Sequence, residues 1–406
     1  MFWDFKSNYI CVLIPTMTTK RLFDNTEIAF KLKTDAQLER AYFLFKMIAN
    51  EPLVKIGTAV TKFALNVHLP VEGLIRSTVF DHFCGGVNEK DCLPVVDSLM
   101  EAGVYSVLDY SVEGKEEESQ FDTTLAKVLE LTLFAEKKPA MPFSVFKPTG
   151  LGRFAIWQKV SEKKSLAPEE ATEWEKIKKR YETICKEAHS RNIKLLIDGE
   201  ETWMQDAADD LCEAMMETYN KEKTIVFNTL QCYRWDRLDY LKEIHQRAKA
   251  NGYKLGFKVV RGAYMEKEHE RAEEKGYPTP ICANKQATDF HFNNVVQYIL
   301  ENLQDISLFL GSHNEESSYL AMELMGKLGI SKNDPRVWFG QLYGMSDHIS
   351  YNLAVGGYNV AKYIPFGPVK DVMPYLIRRA EENTSVAGQT SRELELLKNE
   401  RRRRGL

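Results

Sequence analysis

Eight short apolar runs, rich in β-branched and aromatic residues, recur along the chain at 105–109, 143–147, 194–198, 224–228, 255–260, 307–311, 337–340 and 359–363. Each is followed by enough sequence for an amphipathic helix. Parallel strands can be joined only by long crossovers, so this alternation predicts a parallel sheet of the α/β class. Eight repeats predict a closed (β/α)8 TIM-type barrel. An open doubly wound sheet is the structural alternative. It usually carries a Gly-rich phosphate loop after its first strand, and this chain has none.

Polar residues fall in phase with these runs. Asp109, Lys147, Asp198, Gln231, Arg261, His313, Gln341 and Tyr363 lie at or just after the C-terminal end of a predicted strand. In a barrel those ends converge on one mouth, where sites are built. Taken singly, each is an ordinary loop residue; eight in phase point to a site.

The flanks differ. Apolar residues at three- and four-residue spacing in 36–49 and 53–65 predict helices, and residues 17–100 read as an N-terminal helical region before a barrel at 101–390. Residues 1–16 read as an upstream-start extension, with a weak membrane-contact segment as the lesser reading. The second crossover is long. Ser165 is its expected helix cap, ahead of a charged outer helix over 169–190. Residues 391–406 read as a charged C-terminal tail, and the basic run Arg401 to Arg404 as solvated.

Composition narrows the function classes. A formal charge of -4 over 406 residues gives no reason to expect nucleic acid as a partner. The seven cysteines are scattered, with no Cys-x-x-Cys pair. That pattern suits a reducing, cytoplasmic compartment and argues against structural zinc. His313 has no second His or Cys at ligand spacing, so no metal is expected. It can serve as a general base or as a cofactor donor. There is no Gly-x-Ser-x-Gly elbow for a serine hydrolase.

The run Tyr375-Leu-Ile-Arg378-Arg379-Ala-Glu-Glu382-Asn383 places two guanidinium forks after the last strand. Such forks suit a small carboxylate. With Lys147 they make a cationic mouth, and Asp109, Glu113, Asp198 and Glu382 offset the surplus charge. Tyr264, Leu342, Tyr343 and Tyr363 supply apolar walls. A small zwitterion with a hydrophobic ring fits this set. Any single Arg or Lys here reads equally well as a surface ion pair. A redox reaction would need a cofactor, because no side chain here stores a hydride.

Four motifs stand in order: Leu108-Asp-Tyr-Ser-Val-Glu113, Lys258-Val-Val-Arg-Gly-Ala-Tyr264, Gln341-Leu-Tyr-Gly-Met345 and the Arg378-Arg379 run. Together they resemble the proline dehydrogenase family over residues 99–385. The resemblance implies an FAD-dependent barrel that oxidises L-proline to Δ1-pyrroline-5-carboxylate, the first step of proline catabolism. Hydride would pass from proline C5 to flavin N5, and electrons then to a quinone, with peripheral contact at the inner membrane (the matrix side in a mitochondrion). Pyrroline-5-carboxylate dehydrogenase would be a separate downstream enzyme. On this resemblance Arg378, Arg379 and Lys147 hold the proline carboxylate, and Asp198 orients the site. Tyr264, Leu342 and Tyr363 pack around the ring, Glu382 supports the arginines, and Glu113 gates the substrate. Gln231, Lys258, Val260, Arg261, Gly262, Ser312 and His313 match positions that contact FAD. Lys258 stands where many bacterial members carry Arg. The Tyr363 hydroxyl would crowd a 4-hydroxyl on the ring, which favours proline over hydroxyproline.

Three rival readings stay open. One is a hydroxyproline dehydrogenase. Another is a barrel lyase using Lys147 or Lys258 as a Schiff-base amine. The last is a non-catalytic scaffold, which leaves the in-phase polar residues without a purpose.

Overall fold

A computed structural model describes residues 21–50, 52, 54, 57, 72–111, 116–385 and 389–406. Residues 1–16, most of 53–65 and Glu113 lie outside the described residues. Of Glu382 only the backbone is described, within a helix.

Eight parallel strands are present: β1 Tyr105–Tyr110, β2 Phe143–Phe146, β3 Lys194–Ile197, β4 Val226–Gln231, β5 Leu255–Val260, β6 Ile306–Gly311, β7 Val337–Leu342 and β8 Val360–Phe366. All eight predicted runs form strands. β4 starts later than 224–228 because the Asn220 side chain accepts the N–H groups of Ile225 and Val226, both at 2.9 Å. A turn thus takes the first residues of that run. The strands pair in the order β1-β8-β7-β6-β5-β4-β3-β2. β1 and β2 complete the circle without a ladder. The Ser106 N–H donates to the Ala140 carbonyl at 2.8 Å, just ahead of β2.

The period-two rule assigns the two faces of each strand. Val107, Phe143, Val145, Leu196, Phe227, Phe309, Trp338, Ala361 and Tyr363 form the barrel interior. Phe143 meets the edges of Phe309 and Trp338 at centroid distances of 5.1 and 5.0 Å. This aromatic layer needs a gap across from it. Gly340 provides one, since a Cβ there would stand 2.2 Å from Phe309. Outward residues, such as Leu108, Leu195, Leu230, Val259 and Leu310, join the larger core beneath the helices.

The second crossover holds helix Pro168–Ser190. Ser165 is not its cap. The helix enters at Ala167, whose N–H donates to Glu170 at 2.9 Å, with Pro168 in the first turn.

The basic C-terminal run is solvated only in part: Arg402 and Arg403 are exposed, and Arg401 and Arg404 are half-buried. It ends helix Gln389–Arg404, which buries Leu396 and Leu397 against Phe30, Leu38, Ala41 and Phe45. Arg404 donates to the carbonyls of Lys33 and Phe30 at 2.8 and 2.9 Å, and Arg401 to Glu39 at 2.6 Å. These arginines were expected to face water. They are instead the partners of main-chain carbonyls and carboxylates on the N-terminal helix Asp35–Ile48 and the turn before it. Among the described residues, no helix is long and apolar enough to cross a membrane.

Candidate active site

At the C-terminal ends of the strands, the inward face turns from apolar to charged. Asp109 follows Val107, Lys147 follows Val145, and Asp198 follows Leu196, each two residues further along. Tyr363 lies on the inward line of β8, two residues beyond Ala361. The Lys147 ammonium lies 3.5 Å from Asp109 and 3.3 Å from Asp198. Lys258 pairs closely with the other Asp198 oxygen and donates to the Tyr363 hydroxyl at 3.2 Å. The Ser111 hydroxyl donates to Asp109 at 2.8 Å. Acids and cations thus alternate around the mouth.

Burial alone would raise the Asp198 carboxyl. The Lys258 and Lys147 ammonium groups outweigh it and hold the group below the usual carboxylate range. Burial likewise raises the Tyr363 phenol well above its ordinary value, and Asp198 and Asp109 add to this. Tyr363 therefore stays protonated and offers a hydroxyl and a ring face. Its ring lies 5.0 Å from the Lys258 ammonium.

Helix Val369–Ser385 leaves β8 and covers one side of this mouth. Val372, Met373, Tyr375 and Leu376 pack with Phe80, Phe83 and Met345, while Leu342 lies partly buried against them. Arg378 is half-buried and Arg379 buried on this helix. The Arg379 guanidinium lies 5.3 Å from the Tyr375 ring centre. Tyr264 is half-buried at the start of helix Met265–Lys275, where Lys267 lies 5.5 Å from its ring.

The cofactor-side candidates form a neighbouring arc. Gln231 donates to the Glu200 carbonyl at 2.6 Å, which leaves its amide oxygen as acceptor. Arg261 donates to Asp289 at 2.8 Å, Ser312 at 2.9 Å and Ser317 at 3.0 Å. Val260 ends β5 half-buried. At Gly262 φ is +133°, and a Cβ would stand 2.5 Å from the Tyr233 ring. Only glycine fits there, so the chain passes flush against that ring.

His313 is not arranged as a general base. The Leu342 N–H donates to Nε2 across a long 3.5 Å, so Nδ1 carries the proton and donates to Ser346 Oγ at 2.9 Å. Burial first, then Lys362 and Arg379, lowers the imidazole to about 3, so it is neutral. Gln341 also departs from expectation. It lies on the outward face of β7, donates to the Ser312 carbonyl at 3.2 Å and accepts from Ser350 at 2.8 Å. It supports the loop from behind.

Glu200 was not singled out from the sequence. It is buried, accepts the Thr149 N–H at 2.9 Å and bonds the Thr149 hydroxyl at 2.6 Å. Burial and then Glu201 push its carboxyl up to about 8. It joins the loop after β2 to the loop after β3. The only signal in the sequence is a pair of acids just beyond a strand-end glycine.

Residues 92–392 match the family model described as proline dehydrogenase. The chain is 36% identical over 82% of its length to the carbapenem antibiotics biosynthesis protein CarD of Pectobacterium carotovorum, covering 86% of that protein. It is 32% identical over 95% of its length to the mitochondrial proline dehydrogenase 1 of Arabidopsis thaliana, covering 85% of it. Among solved structures, proline utilization A from Bdellovibrio bacteriovorus superposes on 93% of the chain with a TM-score of 0.68 at 21% identity. This chain spans 39% of that structure, and the likeness concerns the fold. With the matched model covering every strand and the arginine pair after β8, the chain belongs to the proline dehydrogenase family.

Proposed function

We propose that this protein oxidises L-proline to Δ1-pyrroline-5-carboxylate with FAD as its cofactor and a quinone as the final acceptor. The observation that carries the proposal is the Asp109–Lys147–Asp198–Lys258–Tyr363 arrangement at the mouth, beneath the helix that bears Arg378 and Arg379.

The residues present suit FAD. Gly262 brings the chain flush against the Tyr233 ring. Gln231, Arg261, Ser312 and the neutral His313 line that side with donors and acceptors, beside the inward Lys258. When bound, FAD supplies the acceptor for the hydride that leaves proline C5. The chain does the rest. Arg378 and Arg379 take the carboxylate, with Lys147 as a third cation. Tyr363, Leu342 and Tyr264 confine the ring so that its C5–H faces the cofactor. Asp198, held ionised, fixes the directions of Lys147 and Lys258. Breaking the C5–H bond leaves a C=N double bond formed from the nitrogen lone pair, so the amine must react unprotonated.

A hydroxyproline substrate is the second reading. The Tyr363 hydroxyl, held toward the mouth by Lys258, disfavours it. The test is an absorbance spectrum before and after anaerobic L-proline. A flavin spectrum that bleaches supports the proposal. Bleaching only with 4-hydroxyproline replaces the substrate. A protein that neither takes up FAD nor turns over proline overturns the reading.

A further inference from the structure

Two loops flank His313, and the last helix, Gln389–Arg404, grips both. On the β6 side, Arg392 Nε donates to Glu315 at 2.8 Å, two residues beyond His313. Glu315 also meets His348 Nε2 at 3.1 Å, on the helix that follows β7. On the β7 side, the next residue, Glu393, accepts the backbone N–H of Ser346. Glu393 and Ser346 are both buried, at 4% and 1% exposure, so water does not substitute for this bond.

Ser346 is in the left-handed region, with φ at +51°. A residue with a Cβ holds that conformation only when its surroundings impose it. Here the imposing group is the Glu393 carboxyl oxygen on the N–H, with the Ser350 backbone N–H donating to the Ser346 carbonyl at 3.2 Å. The consequence is where Oγ lands: 2.9 Å from His313 Nδ1. That bond sets the tilt of the ring, whose tautomer the Leu342 N–H on Nε2 fixes.

We propose that Glu393 is a positioning residue which, through Ser346, fixes the His313 ring and thereby sets the affinity of the mouth for FAD. This rests on the reading of His313 as a cofactor contact. The last helix would then be part of the cofactor site without touching the cofactor.

The test is a flavin-fluorescence titration of apo-protein with FAD, with melting of the apo-protein and KM for proline measured beside it. Glu393→Ala and Ser346→Gly are each expected to weaken FAD binding about tenfold, the effect of one buried hydrogen bond. KM for proline should stay within about twofold, since the carboxylate clamp sits on another helix. Glu393→Gln keeps an oxygen for the Ser346 N–H and should restore near-native affinity. Arg401→Ala, which loosens the far end of the same helix, should lower the melting temperature and leave FAD affinity unchanged. If Glu393→Ala lowers melting but not affinity, Glu393 is only an anchor and the proposal is overturned. If Glu393→Ala does not fold, Ser346→Gly decides alone, and native affinity in it overturns the proposal. His313→Ala separates the two levels. Unchanged affinity there removes the cofactor-contact reading itself, whereas a tenfold loss without any effect of Ser346→Gly removes only the role of Glu393.

Discussion

Asp198→Asn tests the charge alternation at the mouth most directly. Asp198 is the shared partner of two ammonium groups, with Lys147 at 3.3 Å and Lys258 closer still. The substitution keeps shape and removes charge. Lys147 would keep Asp109 at 3.5 Å, and Lys258 would keep the Tyr363 hydroxyl at 3.2 Å. Removing one member of a buried ion pair costs about 3 to 5 kcal/mol. The two residual partners place this case near the lower figure, about 3 kcal/mol. A chain of this size unfolds with an entropy of roughly 0.85 kcal/mol/K, so the melting temperature should fall by about 3 to 4 °C. The pH dependence has a definite sign. The folded-state carboxyl is held below its unfolded value, so its stabilisation is fully present above the unfolded pKa and is lost as pH falls through the folded one. The gap between wild type and variant should be flat at neutral pH and should close in acid. Calorimetric melts of apo-protein between about pH 3 and pH 7 measure it. A shift below about 1 °C at neutral pH, or a gap that persists undiminished in acid, would refute the reasoning.

Other outcomes follow from the same geometry. Arg378→Met should raise KM for proline by tenfold or more and leave flavin absorbance intact, because a guanidinium–carboxylate pair in a shielded site contributes about 1.5 to 3 kcal/mol. Collapse of FAD occupancy with KM unchanged would remove the clamp assignment. Tyr363→Ser should shift the ratio of kcat/KM toward 4-hydroxyproline by about tenfold, since a hydroxyl that blocks the ring position is gone; an unchanged ratio removes the steric argument. Glu200 has its folded carboxyl raised to about 8, so the native state holds a proton that the unfolded state releases. Stability should therefore decline as pH rises between the two values, by at most about 1.4 kcal/mol per pH unit, and Glu200→Gln should flatten that decline in denaturant titrations.

The barrel was legible because its signal is repeated and physical. Each strand is a short β-rich run, and each inward line, such as Val107 to Asp109 or Val145 to Lys147, keeps a spacing of two. Position on a face was less legible. Gln341 sits beside a strand end as Tyr363 does, yet it is one residue out of phase and points away from the mouth. Arg261 lies just past its strand and directs three donors to Asp289, Ser312 and Ser317. Contacts distant in sequence left no trace. Nothing near Arg401 announces Glu39, and nothing near Ser346 announces Glu393, because such pairings exist only after the last helix has docked. Ser165 failed as a cap for a local reason: Pro168 fixes the helix entry, and the Ala167 N–H finds its acceptor in Glu170.

The join between β1 and β2 has a consequence for motion. Seven of the eight strand junctions are ladders, and this one is held at Ser106 and Ala140. Fewer main-chain bonds must break for the barrel wall to part there, so opening fluctuations cost least along this line. Asp109 and Lys147 stand on its opposite banks, and their 3.5 Å contact bridges it. Amide hydrogens of β1 and β2 should exchange with solvent deuterium sooner than those of β5 and β6. A ligand that draws Lys147 toward itself loosens this bridge, so occupancy of the mouth would register as a change in exchange along the seam.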